Sequence, residues 1–241
     1  MNLILLEEAD SEVVWPLDDS KTKHVLKVLR MTSGDEFFVG VVNGPRGKAL
    51  IDTIEDHVGM RLEITWEDET PAANPIQLLV GLPRPQTSRR VLFESAVFGV
   101  EQLIFFQSDK GEPSYAQSTL WSGDEWQRHL REGAAQAFST TIPEVVHCES
   151  LEAALARIPL NSKRSLCALD VYEGEGPLSS FLKNIPGAML ALGSERGWSA
   201  RERILLRDAG FRLASLGERV LKTETACVAA MSVTCAALKR M

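Results

Sequence analysis

Five consecutive apolar residues, Ala188-Met189-Leu190-Ala191-Leu192, break directly into Gly193-Ser194-Glu195-Arg196-Gly197-Trp198-Ser199. A strand with no polar alternation needs cover on both faces, which restricts this part of the chain to a parallel sheet flanked by helices. The pattern recurs at Phe211-Arg212-Leu213-Ala214-Ser215-Leu216, which breaks into Gly217-Glu218-Arg219-Val220-Leu221-Lys222-Thr223. In such sheets ligands sit beyond the carboxyl ends of the strands, where backbone N–H groups and helix N-termini face outward. Two such loops close together read either as one ligand site or as an ordinary βαβα unit with tight turns.

Local chemistry sets the boundaries around them. Ser199 with Glu202 three residues later forms a capping box, so a helix is expected from there, through Ile204 and Leu205, to a stop at Gly210. Thr223 is expected to cap the final helix, with Glu224 placed against its N-terminal partial charge. That helix carries Ala226, Ala229, Ala230 and Ser232, small residues that allow another backbone to approach closely, in the same chain or in a second copy.

Upstream, Ile76–Leu82 reads as a buried strand, Arg89–Phe98 as a helix, Val100–Phe106 as a strand, Gly123–Phe138 as a helix and Arg164–Val171 as a strand. This alternation predicts an α/β domain with a parallel sheet and helices on both sides. The first part of the chain reads differently. Met1–Glu8 suits an edge strand, since a signal peptide would need a basic region ahead of its apolar stretch. Phe37–Val42, a turn at Asn43–Gly47 and a return through Ala49–Ile51 form a hairpin, and Met60–Trp66 alternates with Leu62, Ile64 and Trp66 on one face. Polar residues and two prolines over Glu67–Pro75 suit a linker. Two domains are therefore expected, a small β-rich one over 1–70 and an α/β one over 71–241.

With 241 residues, 44% hydrophobic and 24% charged, the chain is long enough for a sizeable core and has the composition of a soluble globular protein. No apolar run approaches the roughly 20 residues of a membrane helix, so no membrane partner is expected. Cysteines 148, 167, 227 and 235 lack metal-ligand spacing and suit the reduced thiols of a cytoplasmic protein without a metal. Net charge is −7, which argues against a general nucleic-acid binder. Residues 1–70 hold 7 basic and 15 acidic side chains. Yet Lys21, Lys23, His24, Lys27 and Arg30 fall within ten residues free of acids. Phosphate contacts depend on potential within a Debye length of roughly 8 Å, so a basic strip on an acidic domain can bind RNA. The same strip also reads as a solvated helix face, with Lys23, Lys27 and Arg30 outward and Val25, Leu26 and Leu29 toward the core.

Leu192-Gly193-Ser194-Glu195-Arg196-Gly197-Trp198-Ser199, followed by Ser215-Leu216-Gly217-Glu218-Arg219-Val220-Leu221-Lys222-Thr223-Glu224-Thr225-Ala226, resembles the signature of the RsmE-type family of 16S ribosomal RNA uridine-N3 methyltransferases. The second loop carries the more specific match, through Arg219 and Thr223-Glu224-Thr225-Ala226. His24-Val25-Leu26-Lys27-Val28-Leu29-Arg30-Met31, Glu132-Gly133-Ala134-Ala135-Gln136 and Ile142-Pro143-Glu144 extend the resemblance over nearly the whole chain.

The resemblance implies a SPOUT-class α/β domain with a C-terminal trefoil knot, an N-terminal PUA-like RNA-binding barrel, and a homodimer that completes the active site. It implies S-adenosyl-L-methionine as cofactor, held by the loops at Leu192, Gly193, Glu195, Gly197, Leu216, Gly217 and Leu221. The implied substrate is 16S rRNA in the small ribosomal subunit, met by Lys21, Lys23, His24, Lys27, Arg30 and Arg196. Arg219 is the candidate stabiliser of negative charge on the base, and Glu224 a candidate general base; read from the residues alone, Arg219 could instead pair with Glu218 or Glu224 at the helix entry. The chain departs from the family pattern at Ser194 and Arg196, which replace a proline and a glycine, and at Ser139 and Lys222, which replace arginines. These departures keep open a second reading, a member of the same fold that binds cofactor or RNA with little catalysis, or one with a different RNA target.

Overall fold

A computed structural model describes residues 3–159 and 163–240, which divide into two compact units. The first comprises residues up to Ala72 together with Ala134–Ile142; the second comprises Ala73–Gly133 and Pro143 onward. The segment 134–142, which sequence leaves in the second domain, thus belongs with the first unit.

The first unit is a five-stranded sheet of β1 (Ile4–Leu6), β2 (Glu12–Trp15), β3 (Glu36–Val41), β4 (Arg46–Glu55) and β5 (Gly59–Trp66), in the order β1-β3-β4-β5-β2. Only the β1–β3 pairing is parallel. The edge strand expected at the N-terminus is present as β1, while Met1 and Asn2 lie outside the described residues. Alternation along β5 puts Met60, Leu62 and Ile64 into a core with Trp15, Phe37, Val39 and Ile51, and leaves Arg61 and Glu63 in solvent.

The basic strip does not form the regular helix its spacing suggests. Asp19 caps α1 (Ser20–Lys23) by accepting from the Lys21 N–H at 2.7 Å, and the chain then widens into a π-turn over His24–Val28. The i→i+5 bond from the Leu29 N–H to the His24 carbonyl shifts the 3.6-residue period, and Arg30 leaves the helix at φ +58°. Val25 is buried, Leu26 and Leu29 are half-buried, and Val28 faces solvent at 65% exposure among the lysines.

In the second unit, β6 (Asn74–Gly81), β7 (Val100–Phe106), β8 (Glu144–Cys148), β9 (Ser165–Leu169), β10 (Ala188–Leu192) and β11 (Arg212–Ala214) form one all-parallel sheet in the order β11-β9-β10-β6-β7-β8. Every residue of β10 is buried, as its unbroken apolar run requires. Met189 and Ala191 face a cluster with Leu151 and Ala154 of α5 (Leu151–Leu155) and Leu206 of α6 (Ala200–Asp208). On the opposite face α7 (Thr223–Ala237) crosses β6 and β10 and lies against α2 (Pro85–Val97). Among the described residues the remaining α-helices are the single turn α3 (Thr119–Ser122) and α4 (Glu125–Gln136).

The predicted α6 capping box is complete. The Glu202 N–H donates to Ser199 Oγ at 3.0 Å, the Ser199 N–H donates to Glu202 Oε2 at 2.7 Å, and Gly210 follows the helix at φ +86°. Thr223 is not the cap of α7. Lys222 takes the extended cap conformation, with no side-chain bond, and Thr223 is the first helical residue, buried. A side chain one residue past the cap no longer occupies the position from which a cap accepts the free N–H groups of the first turn.

Candidate active site

The carboxyl ends of β9, β10 and β11 open into a single cavity of about 710 Å³. The two glycine loops form its walls: Leu192, Gly193, Glu195 and Gly197 on one side, Leu216, Gly217 and Leu221 on the other. Arg196, Arg219 and Glu224 line it as well. Sequence proximity of the two loops therefore corresponds to proximity in space, as the strand-end rule requires.

The first loop is held from three sides. Its Trp198 ring is buried, stacks on Phe106 with centroids 6.0 Å apart, and donates Nε1–H to the Leu169 carbonyl at the end of β9 at 2.9 Å. Lys110 Nζ donates to the Trp198 carbonyl at 2.8 Å. Glu195 accepts from the Arg84 N–H at 2.9 Å, so its carboxylate braces the loop against the start of α2. Within the loop the Gly197 N–H bonds the Ser194 carbonyl at 2.8 Å, and Gly197 sits at φ +68° with open space where a side chain would stand. At φ +111°, Gly217 is also open on that side, in a conformation other residues rarely adopt. Beneath the first loop, a Cβ on Gly81 would come within 2.7 Å of the Ser194 nitrogen, so β6 must end in glycine.

Asp170 and Arg203, which sequence reading missed, supply the buried charge of the cavity. Asp170 follows β9 and is 6% exposed; it accepts from Arg203 Nε at 2.5 Å and from the N–H groups of Tyr172 and Glu173 at 2.8 and 3.3 Å. Burial pushes its carboxyl upward, but the Arg203 and backbone hydrogen bonds outweigh that and hold it below the usual range. The strand ends at Leu169, two residues before the Val171 expected from sequence, and that earlier end puts Asp170 at the mouth of the cavity instead of inside the strand. At the entry to α6, Asp109 accepts from Ser199 Oγ at 2.6 Å and from Arg201 Nη2 at 2.6 Å, while Arg201 also pairs with Glu152. Hydrogen bonds from Arg201 and Ser199 hold the Asp109 carboxyl below its ordinary value.

Arg219 forms no hydrogen bond or ion pair among the described residues, and its side chain is exposed at the cavity wall. The pairing with Glu218 or Glu224 that the sequence allows is absent. Arg196 is likewise exposed. Lys23, His24, Lys27 and Arg30 are exposed on the first unit without partners among the described residues, whereas Lys21 lies 3.7 Å from Asp19 and 5.4 Å from the Trp15 ring. All four cysteines are free thiols, and burial pushes Cys227 up to about 12. No helix is long and apolar enough to cross a membrane among the described residues.

Residues 70–235 match the sequence profile of the RNA methyltransferase domain family. Over 242 residues the chain is 31% identical to "Ribosomal RNA small subunit methyltransferase E" of Treponema pallidum, covering 98% of this chain and 91% of that protein. It is 25% identical over 241 residues to "Ribosomal RNA small subunit methyltransferase E 1" of Borreliella burgdorferi, covering both chains fully. Its fold is similar to that of the Neisseria gonorrhoeae ribosomal RNA small subunit methyltransferase E solved bound to S-adenosyl methionine, with a TM-score of 0.81 at 23% identity over 98% and 97% of the two chains. A putative methyltransferase from Legionella pneumophila, solved with bound SAM, gives 0.80 at 22% identity over 97% and 96%. With a relative above 30% identity aligned along nearly its whole length and a domain match over most of it, the chain belongs to the ribosomal RNA small subunit methyltransferase E family.

Proposed function

We propose that this protein transfers a methyl group from S-adenosyl-L-methionine to N3 of a uridine in 16S rRNA of the small ribosomal subunit. The observation that carries the reading is the unpaired guanidinium of Arg219 at the wall of a cavity built from two glycine loops. The residues present fit the cofactor: about 710 Å³ is in the size range of small-molecule sites. Gly197 and Gly217 leave space that any side chain would take. Leu192, Gly193, Glu195, Gly197, Leu216, Gly217 and Leu221 would hold it, Glu195 by bracing its loop.

When bound, the cofactor supplies an electrophilic methyl group, so the protein's contribution is positioning and charge stabilisation. Uridine N3 carries a proton, and its loss spreads negative charge onto the two flanking carbonyl oxygens. Arg219, permanently charged and presenting several donors, is suited to those oxygens. Glu224, half-buried on the same wall, is the candidate acceptor of the proton. The base must be unpaired or flipped to expose N3. Lys21, Lys23, His24, Lys27 and Arg30 of the first unit, read as a PUA-like barrel, and Arg196 of the second would meet RNA phosphates.

A C-terminal trefoil knot of the SPOUT class completes this reading; the placement of β11 outside β9, with α7 returning across β6 and β10, supports it. The same reading includes a cytoplasmic homodimer joined through Ala226, Ala229 and Ser232, small residues of α7 that are half-buried in the single chain, whereas Ala230 is buried within it. Isothermal calorimetry with S-adenosyl-L-methionine tests the cofactor, and no binding would overturn the enzyme reading. Mass mapping of methylated nucleotides in rRNA from cells lacking and regaining the gene tests the target.

A further inference from the structure

Ser194 is 5% exposed and lines the cavity, and its Oγ is buried without a hydrogen-bond partner among the described residues. A buried hydroxyl without a partner costs free energy, and alanine would fill the same space without that cost. Its main chain is already committed: the Ser194 carbonyl accepts from the Gly197 N–H at 2.8 Å, and the strand end beneath has no room for a side chain at Gly81. The residue is therefore fixed in place, with only its hydroxyl unassigned.

Resting on the proposed cofactor, we infer that Ser194 is a binding contact for S-adenosyl-L-methionine, its Oγ hydrogen-bonding a polar atom of the bound molecule. In the free protein the hydroxyl is buried and bonded to nothing among the described residues. Rotation about χ1 between staggered wells breaks no hydrogen bond, so the hydroxyl is free to turn to a bound molecule. Binding then gains a hydrogen bond and removes a desolvation cost already present.

Calorimetry on the full chain with S-adenosyl-L-methionine and with S-adenosylhomocysteine, for wild type and Ser194→Ala, tests the inference. The variant is expected to bind both about tenfold more weakly, the loss of one hydrogen bond to a buried ligand atom. Without ligand its melting temperature should equal or exceed that of wild type, because no native bond is lost. Affinities within twofold of wild type would overturn the inference, as would a melting temperature several degrees lower, which would reveal a structural bond in the free protein. Absence of binding by wild type would overturn the cofactor reading and this inference together.

Discussion

Trp198 donates its indole N–H to the main-chain carbonyl of Leu169 at 2.9 Å, which fastens the loop after β10 to the last residue of β9. The bond makes the glycine loop's shape depend on the neighbouring strand and not on its own sequence alone. It also explains how a loop with two glycines can be rigid enough to form a wall.

Trp198→Phe keeps most of the ring that stacks on Phe106 but removes the donor, leaving the Leu169 carbonyl unpaired. The expected cost is about 1 kcal/mol, with weaker cofactor binding because the loop is no longer fastened. Trp198→Ala adds a cavity and should cost about 3–5 kcal/mol. Urea denaturation measures the loss of stability and calorimetry the loss of binding. A Trp198→Phe variant as stable as wild type would show that the carbonyl is satisfied by water when the indole leaves.

Asp170 and Arg203 make a nearly buried pair, and removing one partner strands the other. Arg203→Met is expected to lose about 3 kcal/mol, since Asp170 at 6% exposure keeps only two backbone donors. The pair also fixes a pH dependence. The folded carboxyl lies below its unfolded value of about 3.9, so its stabilisation is fully present above that value and is lost as pH falls through the folded one. Asp109, depressed by Arg201 and Ser199, adds in the same direction. Denaturation midpoints followed from neutral pH into the acid range should fall steeply below about pH 4, and less steeply in Asp170→Asn. Equal slopes would assign the acid sensitivity to other carboxylates.

Which parts of this were legible in the sequence follows from how local their causes are. The apolar run of β10, the Ser199–Glu202 box and Gly210 need only neighbouring residues, and all lie where the pattern puts them. The lysine strip failed as a regular helix because tertiary packing chose a π-turn; burying Val25 beside Trp15 and Phe37 outweighed the 3.6-residue spacing. Thr223 failed as a cap because the helix begins one residue earlier than its side chain suggests, with Lys222 in the cap position and Thr223 the first helical residue. The Asp170–Arg203 pair spans 33 residues and the bond from Trp198 to Leu169 spans 29, so neither leaves a periodic trace. Asp170 itself was hidden inside the strand expected over Arg164–Val171, which ends at Leu169.

Lys23 and Lys27 are exposed and unpaired among the described residues of the first unit, so they cost the fold nothing to remove and are free to meet phosphates. Lys23→Ala/Lys27→Ala should keep the wild-type melting temperature while weakening RNA binding. The slope of log affinity against log salt should fall by about 0.7–0.9 for each phosphate left without its lysine. Filter binding to a 16S rRNA fragment between 50 and 200 mM salt measures it, roughly the range over which counterion release is easily resolved. An unchanged slope would return the strip to the status of a solvated surface.

Arg219 gives the sharpest separation between structure and chemistry. Because it is exposed and bonded to nothing among the described residues, Arg219→Ala should leave the melting temperature and cofactor affinity near wild type. If its guanidinium stabilises the charge left by the N3 proton, turnover should fall by about 10²–10³-fold, the range found when one donor to a developing anion is removed. Arg219→Lys retains the charge but replaces a planar fork with a single ammonium, so it should recover only part of that loss. Single-turnover methylation of 16S rRNA at saturating cofactor isolates the chemical step. Full activity in both variants would free Arg219 of this role and leave Glu224, in the first turn of α7 on the same wall, as the next group to test.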